Sequence, residues 1–349
     1  MNIPLPIAST QLQLFNYNLS QLTEKVTATV STNLTENAIQ VFDGGDNQID
    51  EKDYVLFYAE GSVGWKQDAP RFAPTHYKNA SNDSVFYFIS IGPNGKRMST
   101  IDKLNAPAQI VDQYDERWLI EVDSISILNS GKLLLGPAMG AGLGKQVKLA
   151  YPININGLVL SSPLKIVSRY VATTYQNPAY FNFSINDNAI KTTAVAPISG
   201  LLYDETANIA VDSFTYSINS ITNLANPASV NISFQSDNAA AAGWIDYIEL
   251  SAKRKLGFWG NNSFGFKNVS SIVKGNLLQY QIQNGDASTE VWDVTNPASP
   301  RKISTDYSTT GLISFLHQAD TLHDFFAVKQ QGYEVPSLLG PLNNQNLAG

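Results

Sequence analysis

The chain of 349 residues contains no cysteine. That absence excludes disulfides, thiolate metal sites and a cysteine nucleophile within these residues. Charge is also scarce. Asp, Glu, Lys and Arg together make up 15% of the chain, so the water-facing surface has to be built largely from Asn, Ser, Thr and Gln. Acids outnumber bases 30 to 23, for a net charge of −7, and no stripe of Lys and Arg appears anywhere. Nucleic acid selects a basic face, so it is excluded as a partner class. No apolar run reaches 18 residues, which leaves no segment to cross a membrane as a helix. The three histidines, His76, His317 and His323, are isolated in sequence, and no G-x-S-x-G elbow marks a serine nucleophile.

What the chain does have is period-two alternation. Tyr54–Tyr58, Val85–Ser90, Trp118–Val122, Ala179–Ile185, Ser213–Ile218, Val230–Phe234 and Trp244–Leu250 are short β-branched and aromatic runs between turn residues. In the last run, strict alternation puts Trp244, Asp246, Ile248 and Leu250 on one face and Ile245, Tyr247 and Glu249 on the other. The expected fold class is mainly β, with two or more sandwich or jelly-roll-like units and few short helices. Helices are expected only over Asp123–Ser130 and over Thr309–Asp320, the latter from its Leu312, Ile313 and Leu316 spacing. Soft composition shifts suggest a β-rich domain over 1–149, a jelly-roll-like sandwich over 150–255 and a smaller β-containing segment over 256–349. The Gly-rich stretch Gly136–Gly144 reads as the connector between the first two.

The acidic turn Asp46-Asn47-Gln48-Ile49-Asp50-Glu51-Lys52-Asp53 is the leading candidate site. It resembles the back half of a calcium loop, with Asp46, Asp50 and Asp53 as ligands, although Phe42 and Gly44 occupy the early ligand positions and offer no carboxylate. A solvated β-turn held by Asx bonds is the competing reading. On a helix, His317 and His323 would point in opposed directions, which argues against a paired metal site. Gly140-Ala141-Gly142-Leu143-Gly144 is not a dinucleotide fingerprint, because no βαβ unit surrounds it. Trp65, Phe258, Trp259 and Trp292 offer flat rings for a sugar-binding platform, so a stand-alone carbohydrate-binding module is the alternative function. A carboxylate-pair hydrolase is a third reading, but 30 acids cannot be sorted into a pair by sequence.

Several segments, in order, resemble one family. Asp43–Tyr58 is similar to an acidic turn plus a D-Y-x-x-F-Y strand found ahead of the catalytic domain in gingipain-like cysteine peptidases. Gly64-Trp65, Phe72 with His76–Asn79, and Val85–Phe88 follow in that family's order. Ser130–Gly136 resembles its S-G-R-x-W-x-G element, with Lys132 for Arg and Leu134 for Trp. Gly243–Leu250, Val291–Pro297 and Asn344–Leu347 complete the series. The resemblance is nearest to the family's sortases of the type IX secretion system of Bacteroidetes. It implies a Cys/His dyad downstream that maps onto no residue here, and therefore no catalytic residue in this chain. It further implies secretion to the cell surface or outer membrane. Expected partners are the chain's own peptidase domain and, beyond it, secreted cargo or surface glycan. Both ends read as cut. Asn343–Gly349, after Pro336 and Pro341, looks like a lead-in to a further domain, and Met1–Pro6 has no signal-peptide pattern.

Overall fold

In a computed structural model, the described residues are 5–17, 33–66, 74–78, 83–106, 108–127, 129, 133–142, 144–201, 203 and 205–341. They form strands and four short 3-10 turns, with no α-helix among them. The chain divides into two units. One comprises 63–80 and 112–259; the other comprises 1–62, 81–111 and 260–349. The expected boundary at 255/256 lies four residues before the end of the first of these. The one at 149/150 falls inside strand Lys148–Ile153.

The unit containing 112–259 is built on eight antiparallel strands: β1 (Gln113–Glu121), β2 (Lys148–Ile153), β3 (Pro163–Thr173), β4 (Ala179–Ile185), β5 (Asn188–Val195), β6 (Asn208–Ser217), β7 (Ala228–Gln235) and β8 (Ala242–Lys255). One sheet has the order β1-β8-β3-β6 and the other β2-β7-β4-β5. This is the strand order of a jelly roll, two interleaved Greek keys. Alternation explains the core. Phe181, Phe183 and Ile185 of β4, Val230 and Ile232 of β7, and Leu164 and Ile166 of β3 are buried together, while the residues between them face outward. Tyr170 of one sheet stacks on Phe181 of the other, with ring centroids 4.5 Å apart.

The strict alternation expected for Trp244–Leu250 fails at one residue. Tyr170 pairs with Ile245 and Arg169 with Tyr247, so Asp246 is an extra residue in β8. This β-bulge resets the phase of the strand. Ile245 and Ile248 both enter the core, and Trp244 packs instead with Leu135, Val171 and Ala242. The stretch Gly136–Gly144 is likewise no divider between units. Met139 is fully buried and its backbone bonds Gly243 in both directions, at 2.7 and 2.9 Å. Gly243 tolerates no side chain there, since an added Cβ would lie 2.4 Å from the Phe234 ring.

The second unit combines small sheets with a mixed sandwich. A five-stranded sheet runs Ser99–Ile101, Arg301–Ile303, Glu290–Asp293, Phe325–Val328, Ser263–Phe266; a four-stranded sheet runs Gln109–Val111, Leu277–Gln283, Leu312–Gln318, Asp306–Thr309. Phe266 and Phe325 from the first meet Tyr280 and Phe315 from the second, with centroids 5.1–6.2 Å apart. The helix expected over Thr309–Asp320 is therefore a strand with its preceding turn. Ile313, Phe315 and His317 are buried in alternation while Leu312, Ser314 and Leu316 are not, and the apparent helical spacing came from reading both faces as one. Asp123–Ile127 also forms no helix; Ile125 bridges Leu135 in an extended pairing.

Replacing Phe181 with Ala should cost about 3–5 kcal/mol in the stability of the jelly-roll unit, through lost burial and an inter-sheet cavity. Urea denaturation followed by tryptophan fluorescence measures this.

Candidate functional site

A concentrated set of charged side chains in the jelly-roll unit lies on the outer face of the β1-β8-β3-β6 sheet. Two features bring it there. Alternation from the core residues Ile248 and Leu250 turns Tyr247 and Glu249 outward, and the register of β1 places Glu121 opposite Tyr247 and Leu119 opposite Glu249. Above them lies a hairpin of strands Val63–Lys66 and Thr75–Lys78, whose short strands would be unstable without a face to cover. His76 of the hairpin is wedged between two acids. Its Nδ1 lies 2.7 Å from Glu249 Oε1 and its Nε2 3.6 Å from Glu121 Oε2. The His76 backbone N–H donates to the same Glu249 oxygen at 2.6 Å. Tyr247 meets the imidazole edge-on at 4.7 Å, Trp65 lies 6.3 Å away, and the Arg117 guanidinium sits over the Trp65 ring. Lys78 pairs with Asp123 and Arg169 with Asp246.

The electrostatics of this face are set by burial. Desolvation pushes the Glu121 carboxyl up from the ordinary value of 4.5, and Asp123 and Asp246 add to the rise while His76 and Lys78 oppose it. Asp246 is also raised, first by desolvation, with Arg169 opposing. Glu121 Oε2 has no hydrogen-bond partner. The cluster is a charged clasp that fastens a hairpin to a sheet, with an imidazole between two carboxylates at its centre.

The other candidates distribute as follows. In the acidic turn, Asp46 Oδ1 accepts from Gln48 N at 2.9 Å, Asp50 Oδ1 from Lys52 N at 2.8 Å, and Asp53 Oδ2 from Asp50 N at 2.7 Å. These bonds build the turn between strands Gln40–Phe42 and Tyr54–Leu56. Calcium ligation by Asp46, Asp50 and Asp53 would draw on the remaining oxygens. The four aromatic rings make no platform. Trp292 and Phe258 are 3% and 4% exposed, Trp292 with its Nε1 donating to Glu290 Oε2 at 2.9 Å, and Trp259 lies over Gly157 with its Nε1 donating to Lys255 O at 2.8 Å. Sequence spacing missed one grouping: His317 and His323, far from being opposed, lie with their rings 4.3 Å apart and share Asp293. This is the one trio among the described residues whose donor atoms converge as a metal would require. Period-two burial around His317 was the signal that would have found it. Of the segments that carry the family resemblance, Phe72, Asn79, Ser130–Lys132 and Asn344–Leu347 lie outside the described residues.

No family model matches the sequence, and no curated protein matches it. Among solved structures, the chain is similar to dimeric latent PorU from Porphyromonas gingivalis, with a TM-score of 0.72 over 96% of this chain and 20% identity. Its fold is that of a region of PorU. The match covers 31% of the PorU chain, so the residues here span about a third of that protein. A structure of the infectious bursal disease virus Gt strain overlaps 90% of this chain and 61% of its own at 13% identity, but its TM-score of 0.24 carries no argument.

Two outcomes are expected. If Asp46, Asp50 and Asp53 bind calcium, millimolar calcium raises the melting temperature, since a ligand of the folded state stabilises it; no shift leaves a turn alone. For Glu121, the folded carboxyl holds its proton more tightly than the unfolded one. Its contribution is full below the ordinary value of 4.5 and is lost as pH rises through the higher folded value. Glu121→Gln removes that loss, so the variant should melt with the wild type at pH below this window and above it at neutral pH.

Proposed function

We propose that this chain is a non-catalytic region of a gingipain-like cysteine peptidase of the PorU type, acting at the cell surface as a scaffold for a peptidase domain or as a dock for secreted cargo. The observation that carries this reading is the extent of the fold likeness: nearly the whole chain follows PorU, while accounting for about a third of it. Two further facts agree with it. The chain has no cysteine to serve as nucleophile, and its polar, low-charge, β-rich composition suits an exported protein. The ordered motifs from Asp43–Tyr58 to Val291–Pro297, which resemble the gingipain-like peptidases, support the same reading from sequence. Fold alone does not fix function, so the scaffold role has to be measured.

The test is reconstitution. The purified chain should cleave no peptide reporter and react with no cysteine-directed peptidase probe. When mixed with the separately produced peptidase domain of the same gene, it should co-elute as a stable complex. Turnover by the chain alone, or failure to bind that domain and any cargo sorting domain, would sink the proposal.

A further inference from the structure

Strand Leu312–Gln318 carries His317 on its inward face, behind Ile313 and Phe315. The facing sheet ends its strand Glu290–Asp293 with Asp293, which is 2% exposed. The turn that follows Gln318 brings His323 back just before Phe325, so both imidazoles arrive at one carboxylate at the end of the sandwich. Asp293 Oδ2 lies 3.1 Å from His323 Nδ1 and 3.8 Å from His317 Nε2. One donor atom from each residue lies within 4.8 Å of the other two.

The geometry points to a binding site for a single zinc-class divalent cation, held by Asp293, His317 and His323. Four observations carry it. First, the spacing is near what such an ion needs. Bonds of about 2.0–2.2 Å in a tetrahedral arrangement place ligand atoms roughly 3.3–3.5 Å apart, so the 3.1 Å separation must open and the 3.8 Å one close by a few tenths of an ångström, while the two imidazole nitrogens, within 4.8 Å of each other, draw together as the rings turn. Second, the His317 tautomer is set for ligation. Its Nδ1 lies 2.9 Å from the Gln318 carbonyl oxygen, which can only accept, so Nδ1 carries a hydrogen and Nε2, the nitrogen facing Asp293, is the one left to ligate. Third, His323 Nδ1 and Asp293 Oδ2 cannot face each other lone pair to lone pair at 3.1 Å; a proton or a cation has to lie between them. Fourth, the outer contacts orient the set. Thr295 donates to Asp293 Oδ1 from its hydroxyl at 2.6 Å and its N–H at 3.1 Å, and Thr321 Oγ1 lies 3.1 Å from His323 Nε2.

One group opposes the ion. Arg301 Nη2 reaches the same Asp293 oxygen at 2.5 Å. Its side chain is 46% exposed, so it has room to turn into solvent, and its charge lowers the affinity without closing the site. This makes Arg301 a diagnostic residue. With two imidazoles, one carboxylate and no thiolate, the set suits Zn²⁺ over Ca²⁺ or Mg²⁺, which want more oxygens.

The experiment is zinc titration of the chelator-treated chain by calorimetry, with bound metal counted by elemental mass spectrometry after gel filtration. One zinc per chain is expected. His323→Ala should weaken binding at least about tenfold, whereas His76→Ala, which removes the remaining histidine of the chain, should leave it unchanged. Arg301→Gln should bind several-fold tighter. Absence of bound zinc, or zinc retained in His323→Ala, overturns the site. Should His323→Ala fail to fold by circular dichroism, Arg301→Gln decides: tighter binding supports the site, and unchanged or weaker binding overturns it.

Discussion

Asp246, the extra residue in β8, governs more of the jelly-roll unit than any single contact. β8 is the longest strand and lies between β1 and β3, so a change of phase in it is felt on both sides. Strict alternation would have left Ile245 on the outer face and Asp246 in the core. A buried carboxylate without a partner costs far more than one extra unpaired residue in a ladder. The bulge puts Ile245 and Ile248 inside and leaves Asp246 beside Arg169, with Tyr247 and Glu249 under the hairpin. The outer clasp exists because the inner core is satisfied this way. β-Bulges re-aim side chains, and here the re-aimed ones are Ile245, which enters the core, and Trp244, which joins Leu135 and Val171; Tyr247 and Glu249 keep the phase set by Ile248 and Leu250.

How legible this was depends on how local the determining physics is. Alternation at Ala179–Ile185 and Val230–Phe234 marked strands whose buried residues do face the core, because each buries one face and exposes the other. The same rule misled at Leu312–Gln318, where the outward residues Leu312 and Leu316 are themselves apolar and half-buried, so a period near 3.6 could be drawn through both faces. That one misreading hid the candidate site, since His317 and His323 converge only when a strand and a return turn replace the helix. The bulge at Asp246 was not legible at all, because nothing in Trp244–Leu250 announces an extra residue; it is imposed by the partner strand. Gly136–Gly144 misled for a related reason. Glycine can mark a loose connector or a close approach, and contact with the end of β8 decides which.

The two imidazole–carboxylate clusters differ in sign, and that difference sorts their roles. At the clasp, burial wins over the nearby cations and Glu121 and Asp246 are raised. Such an arrangement strains against ionisation and is retained for what it holds together, the hairpin and the sheet. At Asp293 the donors win over burial and the carboxyl is lowered. Asp293 lies inside a sandwich end with a nitrogen of each imidazole facing it, and Thr295 fixes its other oxygen. With charged residues at 15% of the chain, spending several on each cluster is a selective use of a scarce resource.

Likeness of fold and chemistry of site are separate arguments, and here they bear on different questions. A TM-score of 0.72 at 20% identity establishes the architecture and says nothing about which side chains act, because superfolds host unrelated functions. The Asp293 cluster rests on no such likeness; it follows from inward-facing positions of two strands and the turn between His317 and Phe325. If a cation sits there, it ties the last strand of one sheet to the facing sheet at an open end of the sandwich. The interior aromatic contacts of Phe266, Tyr280, Phe315 and Phe325 run on through Phe325 to His317 and His323, so the ion would close the end of a continuous stack of rings. A region whose proposed task is to hold a partner domain in place gains most from rigidity at that end. The site and the scaffold reading therefore reinforce each other physically while remaining independently refutable.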